Sequence, residues 1–273
     1  MSFLREYTAG DFYIRHAVDD APAAADFGFH VHDQCEIFYF VAGDAEYLVE
    51  GARYPLRNGS LMMMSPTEAH CVRILGRARY ERYALNFPLS AFDSFDPKRL
   101  LMRPYCAREL GRRNLLQIGG LEPHFAEMCR EDLDNDTRRV VMYTKLAVLL
   151  DCINRAFDTH TEPELQPDSI GTQIVSFVNQ HLFDELNLDA VAAHFYLSRS
   201  QLGRVFRKTT GAPPWDYITA KRLVAAKALI ANGSTARAAA EQCGFRDYSV
   251  FYRAFVKRFG CSPSSKAASR QTK

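Results

Sequence analysis

The chain reads as an α+β protein of two domains: a small β-barrel first, helices behind it, and an all-α domain at the end. Three observations predict this. At roughly 150 residues per domain, 273 residues make about two. Residues 12–90 are rich in β-branched and aromatic side chains with turn residues at short intervals, and from about residue 120 the apolar period becomes helical. The charge is also divided. Residues 1–169 hold 19 Lys+Arg against 26 Asp+Glu, and residues 170–273 hold 15 against 6. A basic half joined to an acidic one points to a polyanionic partner for the basic half.

Composition removes several other classes. At 47% hydrophobic and 24% charged, the chain is neither disordered nor fibrous. No apolar run approaches the roughly 18 residues of a membrane span, and the first residues carry no apolar core of a signal peptide. Seven scattered cysteines without a C-x-x-C exclude a zinc ribbon and argue against a disulfide framework, so a cytoplasmic protein is expected.

Along the chain, EIFYFVAG (36–43) and the stretch 45–66 are short apolar runs punctuated by Gly51, Pro55, Asn58-Gly59 and Pro66. Asn58-Gly59 between two such runs predicts a hairpin. Leu61 to Ser65 reads as core strand rather than a methionine metal box. EDLDND (131–136) lacks the glycine and terminal glutamate of a calcium loop and reads as a solvated helix end. Residues 138–157 form a helix with Val141, Val148, Leu149, Cys152 and Phe157 on more than one face, a surface for core or for a second copy. The expected boundaries are therefore 1–120 for the β domain, 121–157 for a helical dimerisation segment, and 158–168 (DTHTEPELQPD) for a linker. Residues 169–273 remain for the basic helical domain. Its longest helix opens at Pro213-Pro214 and carries the stripe Trp215, Thr219, Leu223, Ala226 and Ile230.

Two stretches of the basic half are alike, at about 188–208 and 236–259. Each has a small-residue helix of about two turns, a tight turn, and a longer basic helix. Ser198 and Gln201 form a capping box ahead of Leu202 and Phe206. Gly244 and Asp247 end one helix and open the next, ahead of Phe251, Phe255 and Phe259. A short alanine-rich helix lets the second helix protrude, as helix-turn-helix recognition requires. The outward residues are Arg199, Ser200, Arg204, Arg207 and Lys208 in the first, and Tyr248, Ser249, Tyr252, Arg253 and Lys257 in the second. They suit phosphate and base-edge contacts.

At these residues the sequence resembles the AraC/XylS family of bacterial transcription regulators. Gly244-Phe245, Asp247, Phe251, Phe255, Gly260 and Ser262-Pro263 stand at the spacing of the family signature in its tandem helix-turn-helix domain. Leu202, Phe206, Gly211, Arg222, Ala226 and Leu229 fit its first half and connecting helix. Gly203 departs from the family, standing where members often place a base-reading side chain. The N-terminal half resembles the cupin-type sensor of the same family through His30, His32, Glu36 and Gly43, then Gly59, Pro66 and His70. In cupin enzymes such a set holds a divalent metal, and in the regulators it often lines an effector pocket without one. Both readings stay open for His30, His32, Glu36 and His70, with no cofactor required.

The resemblance implies a ligand-responsive, non-enzymatic activator of transcription. Its DNA-binding domain would read a double-stranded operator as a monomer, with two recognition helices in adjacent major-groove segments and with a small-molecule effector and RNA polymerase as further partners, while the apolar helix 138–157 makes a homodimer the expected assembly. A sugar is one candidate effector, since Phe29, Phe38 and Tyr39 would stack on it as readily as they would pack a core. The alternative is a metal-dependent cupin enzyme with a helical tail, which leaves the paired basic helices without a purpose.

Overall fold

The computed structural model describes residues 2–23, 28–159 and 169–265. Strands β1 (Phe3–Ala9), β2 (Phe12–Asp19), β3 (Cys35–Ala42), β4 (Ala45–Val49), β5 (Ala52–Pro55), β6 (Ser60–Met64), β7 (His70–Ile74) and β8 (Tyr80–Phe87) follow one another. The short helix α1 (Arg103–Cys106) then precedes β9 (Leu115–Gln117). They form an antiparallel sheet of order β1-β2-β8-β3-β6-β9 and a smaller one of order β5-β4-β7. The expected barrel is thus not closed. Among the described residues no strand of one sheet pairs with the other, and the two close face to face, as in a sandwich.

Side-chain alternation explains why the central strands look uniformly apolar. Ile37 and Tyr39 of β3, Leu61 and Met63 of β6, and Leu85 of β8 face helices α2 (Glu122–Met128) and α3 (Asn135–Thr159). Phe38, Phe40, Met62 and Met64 face Tyr47, Val49 and Tyr54 of the smaller sheet. A strand covered on both faces loses its polar alternation.

The predicted hairpin at Asn58-Gly59 does not form. β5 and β6 lie in different sheets, so this turn only carries the chain from one to the other. The tight hairpin is instead β4–β5, whose paired ends Val49 and Ala52 enclose Glu50 and Gly51. Their φ angles of 50° and 85° are those of a type I′ turn. Gly51 takes this conformation without strain, but Glu50 is an unusual residue for it.

Helix α3 corrects another expectation. It starts at Asn135, with Asp134 accepting the Thr137 N–H at 2.9 Å. Met142, Leu146, Leu149, Leu150, Ile153 and Phe157 are buried against the larger sheet. Leu149, read as a surface for a second copy, is therefore core, and only Val140 and Val148 stay exposed as large apolar groups on this helix. The helix runs to Thr159, so the expected linker begins inside it. Residues 160–168 lie outside the described residues.

The last domain packs α4 (Ile170–Gln180), α5 (Leu188–His194), α6 (Arg199–Thr210), α7 (Pro214–Ala231), α8 (Ala236–Gln242) and α9 (Tyr248–Phe259). The local signals work as read. The Ser198–Gln201 capping box opens α6 and Gly211 closes it in the left-handed conformation. Asp247 caps α9 and Gly260 closes it. Tyr196, with φ of 56°, makes the turn between α5 and α6. Helix α7 is not striped as expected. Trp215 is exposed, whereas Tyr217, Ile218, Lys221, Val224 and Lys227 are buried along with Leu223, Ala226 and Ile230. It is an axle with neighbours on every side. From it Arg222 donates to the carbonyls of Leu182, Asp184 and Gly244 at 2.7–2.8 Å, tying the connection between α4 and α5 and the turn between α8 and α9 to one helix.

Candidate functional site: a basic recognition face and a sensor pocket

Two helix pairs, α5–α6 and α8–α9, present the basic face. Leu202 and Phe206 hold α6, and Phe251 and Phe255 hold α9. This turns Ser200, Arg204, Arg207 and Lys208, then Ser249, Tyr252, Arg253 and Lys257, to solvent. The side chains of Arg204, Arg207, Arg253 and Lys257 make no hydrogen bond or ion pair among the described residues, so they are free for phosphates and base edges. Two expected members differ. Arg199 is paired with Asp189 at 2.9 Å. Tyr248 is half-buried, packed on Phe251 and under the Arg237 guanidinium, because it opens the helix at the edge of the aromatic core. Gly203 has open space where a Cβ would stand, so sterics do not demand glycine there.

The second site lies in the β domain. A cavity of about 320 Å³ is lined by His30, His32, Glu36, Phe38, Tyr47, Asn86 and the cationic Arg15 and Arg82, among others. Three of the four residues singled out in the sequence line it, and the fourth, His70, packs its fully buried ring against His30 and His32 without reaching the cavity wall. One ligand atom from each of His30, His32, Glu36 and His70 lies within 4.8 Å of the others. Alternation points His30 and His32 the same way. A backbone bridge sets His30 opposite His70, with both N–H···O bonds at 3.0 Å.

Each imidazole is anchored through Nδ1: His30 to Gly28 O at 3.0 Å, His32 to Gln34 O at 2.9 Å, and His70 to Glu68 O at 2.7 Å. His32 Nε2 is 2.9 Å from Glu36 Oε2, and Asn86 Nδ2 donates to the same oxygen at 3.1 Å. His70 Nε2 lies 3.4 Å from that oxygen, is buried, and has no hydrogen-bond partner.

The charges follow from this packing. Burial alone would raise the Glu36 pKa, but the His32 and His70 imidazoles set against it outweigh burial and hold the carboxyl well below its usual range. Burial opposes charge on His70, yet Glu36 raises its pKa overall. His30 has an edge open to solvent at the cavity mouth, although protein packs densely around its ring. That packing, and next His70, push its pKa down to about 3. Of the three aromatic residues considered for stacking, only Phe38 lines the cavity. Tyr39 stacks on Phe125 on the opposite face, and Phe29 packs on Tyr217 of α7.

Sequence reasoning missed the contact between the domains. The Glu50 carboxylate, on the β4–β5 turn, is buried and fully engaged. One oxygen accepts from Lys221 Nζ and from the Ala69 N–H, each at 2.6 Å. The other accepts from the Tyr217 hydroxyl at 2.5 Å and from Asn179 Nδ2 at 2.6 Å. Burial, then Glu50, raises the Tyr217 pKa well above its usual value and keeps the phenol protonated as a donor. Lys227 pairs with Asp33 at 2.9 Å. Both recognition helices rest their last turns on the β domain: Arg73 donates to Lys208 O at 2.6 Å, and Arg258 donates to Val31 O at 2.5 Å. Along 30–33 the chain therefore alternates. His30 and His32 enter the pocket, while Val31 sits in the core of the first helix-turn-helix unit and Asp33 meets α7.

A pocketed β domain fastened to two helix-turn-helix units with free basic faces is the build of a ligand-responsive, DNA-binding transcription regulator. Family comparison agrees, since residues 17–157 match the AraC-like ligand binding domain and residues 191–268 match a helix-turn-helix domain. The first match covers more than half of the chain, which thus belongs to the AraC-like family. The chain is 24% identical over 254 residues to the HTH-type transcriptional activator RhaS of Escherichia coli O139:H28, covering 90% of each. Among solved structures it is similar to ToxT from Vibrio cholerae O395, with 14% identity, 97% of this chain and 95% of the other covered, and a TM-score of 0.38. The DNA-binding domain of AdpA in complex with a target DNA shares 26% identity over 35% of this chain and 87% of its own, with a TM-score of 0.32. No helix among the described residues is long and apolar enough to cross a membrane.

Proposed function

We propose that this chain is a cytoplasmic activator of bacterial transcription that acts by binding rather than turnover. α6 and α9 read an operator in double-stranded DNA, and the pocket at His30, His32, Glu36 and His70 receives a small-molecule effector. A second copy docks on the outer face of α3, where Val140 and Val148 are exposed, and RNA polymerase is the downstream partner. One observation carries this reading. The outward faces of both recognition helices are free and basic, while their last turns are held by the very domain that contains the pocket. The activator name of the relatives supports the direction of control. The pocket's arginines, imidazoles and Asn86 suit an oxygen-rich effector, a sugar among them.

Selection of binding sites from genomic DNA by the full-length protein tests this. The expected result is one enriched sequence whose affinity falls steeply with salt, by about 10³–10⁵ between 50 and 200 mM if 6–10 phosphates are contacted. No enriched sequence, or binding indifferent to salt, overturns the proposal.

A further inference from the structure

We infer that the ligand of the β-domain cavity is a small hydroxylated carboxylic acid, a sugar acid rather than a neutral sugar, with its carboxylate held between Arg15 and Arg82. The inference deepens the function proposed above and rests on its reading of this cavity as the effector site.

Strand register builds the site. β8 runs between β2 and β3, and its inner face carries Asn86, Ala84 and Arg82 at the centres of three rows. The first row is Tyr13–Asn86–Glu36, the second Arg15–Ala84–Phe38, and the third Ala17–Arg82–Phe40. All but Ala17 and Phe40 line the cavity. Ala84 stands in the middle, and its short side chain leaves a depression among larger neighbours.

Both arginines can close over that depression. Diagonal neighbours on adjacent antiparallel strands stand about 7–8 Å apart, within reach of long side chains. Arg15 and Arg82 are such a pair, on either side of Ala84. Arg82 already leans across: its guanidinium carbon lies 5.7 Å from the centre of the Phe38 ring, and Phe38 flanks Ala84 on the other side. Arg15 is loosely held. Its Nε is buried and makes no hydrogen bond among the described residues, although Glu6 Oε1 lies 3.1 Å away. The side chains of that pair are 37% and 41% exposed, so it contributes little and a carboxylate from solution can replace Glu6 at small cost.

Charge and polarity then select the ligand. Arginine meets a carboxylate through paired, charge-assisted hydrogen bonds that a neutral hydroxyl does not match. Arg15 and Arg82 against Glu36 leave one positive charge on the cavity wall, the complement of a monoanion rather than of a phosphate dianion. Glu36 also sets the direction. It sits in the first row, beside His32 and Asn86 at 2.9 and 3.1 Å, and repels an acid group toward the arginines. At that end Asn86, His30 and His32 offer hydrogen bonds to hydroxyls. Successive rows stand about 6.8 Å apart, and the cavity of about 320 Å³ lies at the small end of ligand sites. Both dimensions suit a single sugar-sized molecule.

The test is calorimetric titration of the full-length protein with a matched set: D-glucuronate, D-galacturonate and D-gluconate, their neutral counterparts D-glucose, D-galactose and D-glucuronamide, and D-glucose 6-phosphate. At least one acid should bind, with its neutral counterpart weaker by about 10–100-fold, the worth of a hydrogen bond to a charged group. Arg82→Gln and Arg15→Gln should each weaken the acid by a similar factor and leave the neutral counterpart unchanged, a split that mere loss of packing does not produce. Ala84→Leu should weaken acid and neutral ligand alike by filling the depression. Circular dichroism checks that each variant is folded. Neutral sugars binding as tightly as the acids overturn the inference while leaving the cavity an effector site. The same inference falls if the phosphate binds more tightly than every acid, if the folded arginine variants keep the wild-type preference, or if no acid binds. DNA reading is judged separately, by the site selection.

Discussion

Glu50→Gln isolates the charge that fastens the sensor to the DNA-binding domain. The amide keeps the size of the side chain, and its oxygen can still accept the Ala69 N–H, so the β4–β5 turn should persist. What disappears is the negative charge 2.6 Å from Lys221 Nζ, in a pair whose side chains are 3% and 2% exposed. Removing one partner of a buried ion pair costs about 3–5 kcal/mol. At 1.4 kcal/mol per factor of ten, that is about 10²–10⁴ in the equilibrium between docked and separated domains. The lysine can recover its hydration only by leaving the interface, so the cost should appear as separation, not unfolding. Small-angle scattering should report a larger radius of gyration with unchanged circular dichroism, and operator affinity should lose its dependence on the effector. Adding Lys221→Met to Glu50→Gln should restore much of the docking, since a neutral pair leaves no stranded charge. If Glu50→Gln keeps the wild-type radius and the wild-type response, or the double variant opens as far as the single one, this account of the interface is wrong.

Arg204→Ala should relax base preference across one half-site by about 1–3 kcal/mol, whereas Arg207→Ala should weaken all sequences alike and lower the salt slope by about one unit. Titration against single-base operator variants separates the two, and a uniform loss for Arg204→Ala would make it a phosphate contact. On α3, Leu149→Ala should destabilise the β domain by about 2–5 kcal/mol in a denaturant melt, because the side chain is fully buried. Val148→Asp with Val140→Asp should leave that melt intact and convert a dimer to a monomer by light scattering. A folded variant that stays dimeric would place the second copy elsewhere.

The recognition helices were legible because their signals are local. Ser198 with Gln201, Asp247 and the glycines at 211 and 260 each act within a turn of their own position. The pocket was legible for a related reason, since alternation carries His30 and His32 to one side whatever happens elsewhere. Glu50 was not. Its partners Asn179, Tyr217 and Lys221 are 129 to 171 residues away, and a glutamate in a hairpin turn reads as solvated. The available hint was the turn itself: asparagine, aspartate or glycine suits that conformation better, so a glutamate there needs a reason. Lys221 and Lys227 were hidden in the same way, as charges on a helix whose exposed side could not be identified until both its neighbours were in place. Leu149 was misassigned because a helix apolar on more than one face does not say which face meets the sheet.

The alternating segment 30–33 makes sensing a two-way affair. Its odd side chain Val31 and the Val31 carbonyl belong to the contact with the DNA-binding domain, and its even side chains belong to the pocket. So short a segment cannot shift for one without shifting for the other. If the effector alters the docking of the recognition helices by some factor, thermodynamic reciprocity requires that docking alter effector affinity by the same factor. Operator DNA, by holding the helices in its own geometry, then acts as an allosteric ligand of the pocket. The concentration at which the effector is sensed depends on how many operators the cell contains.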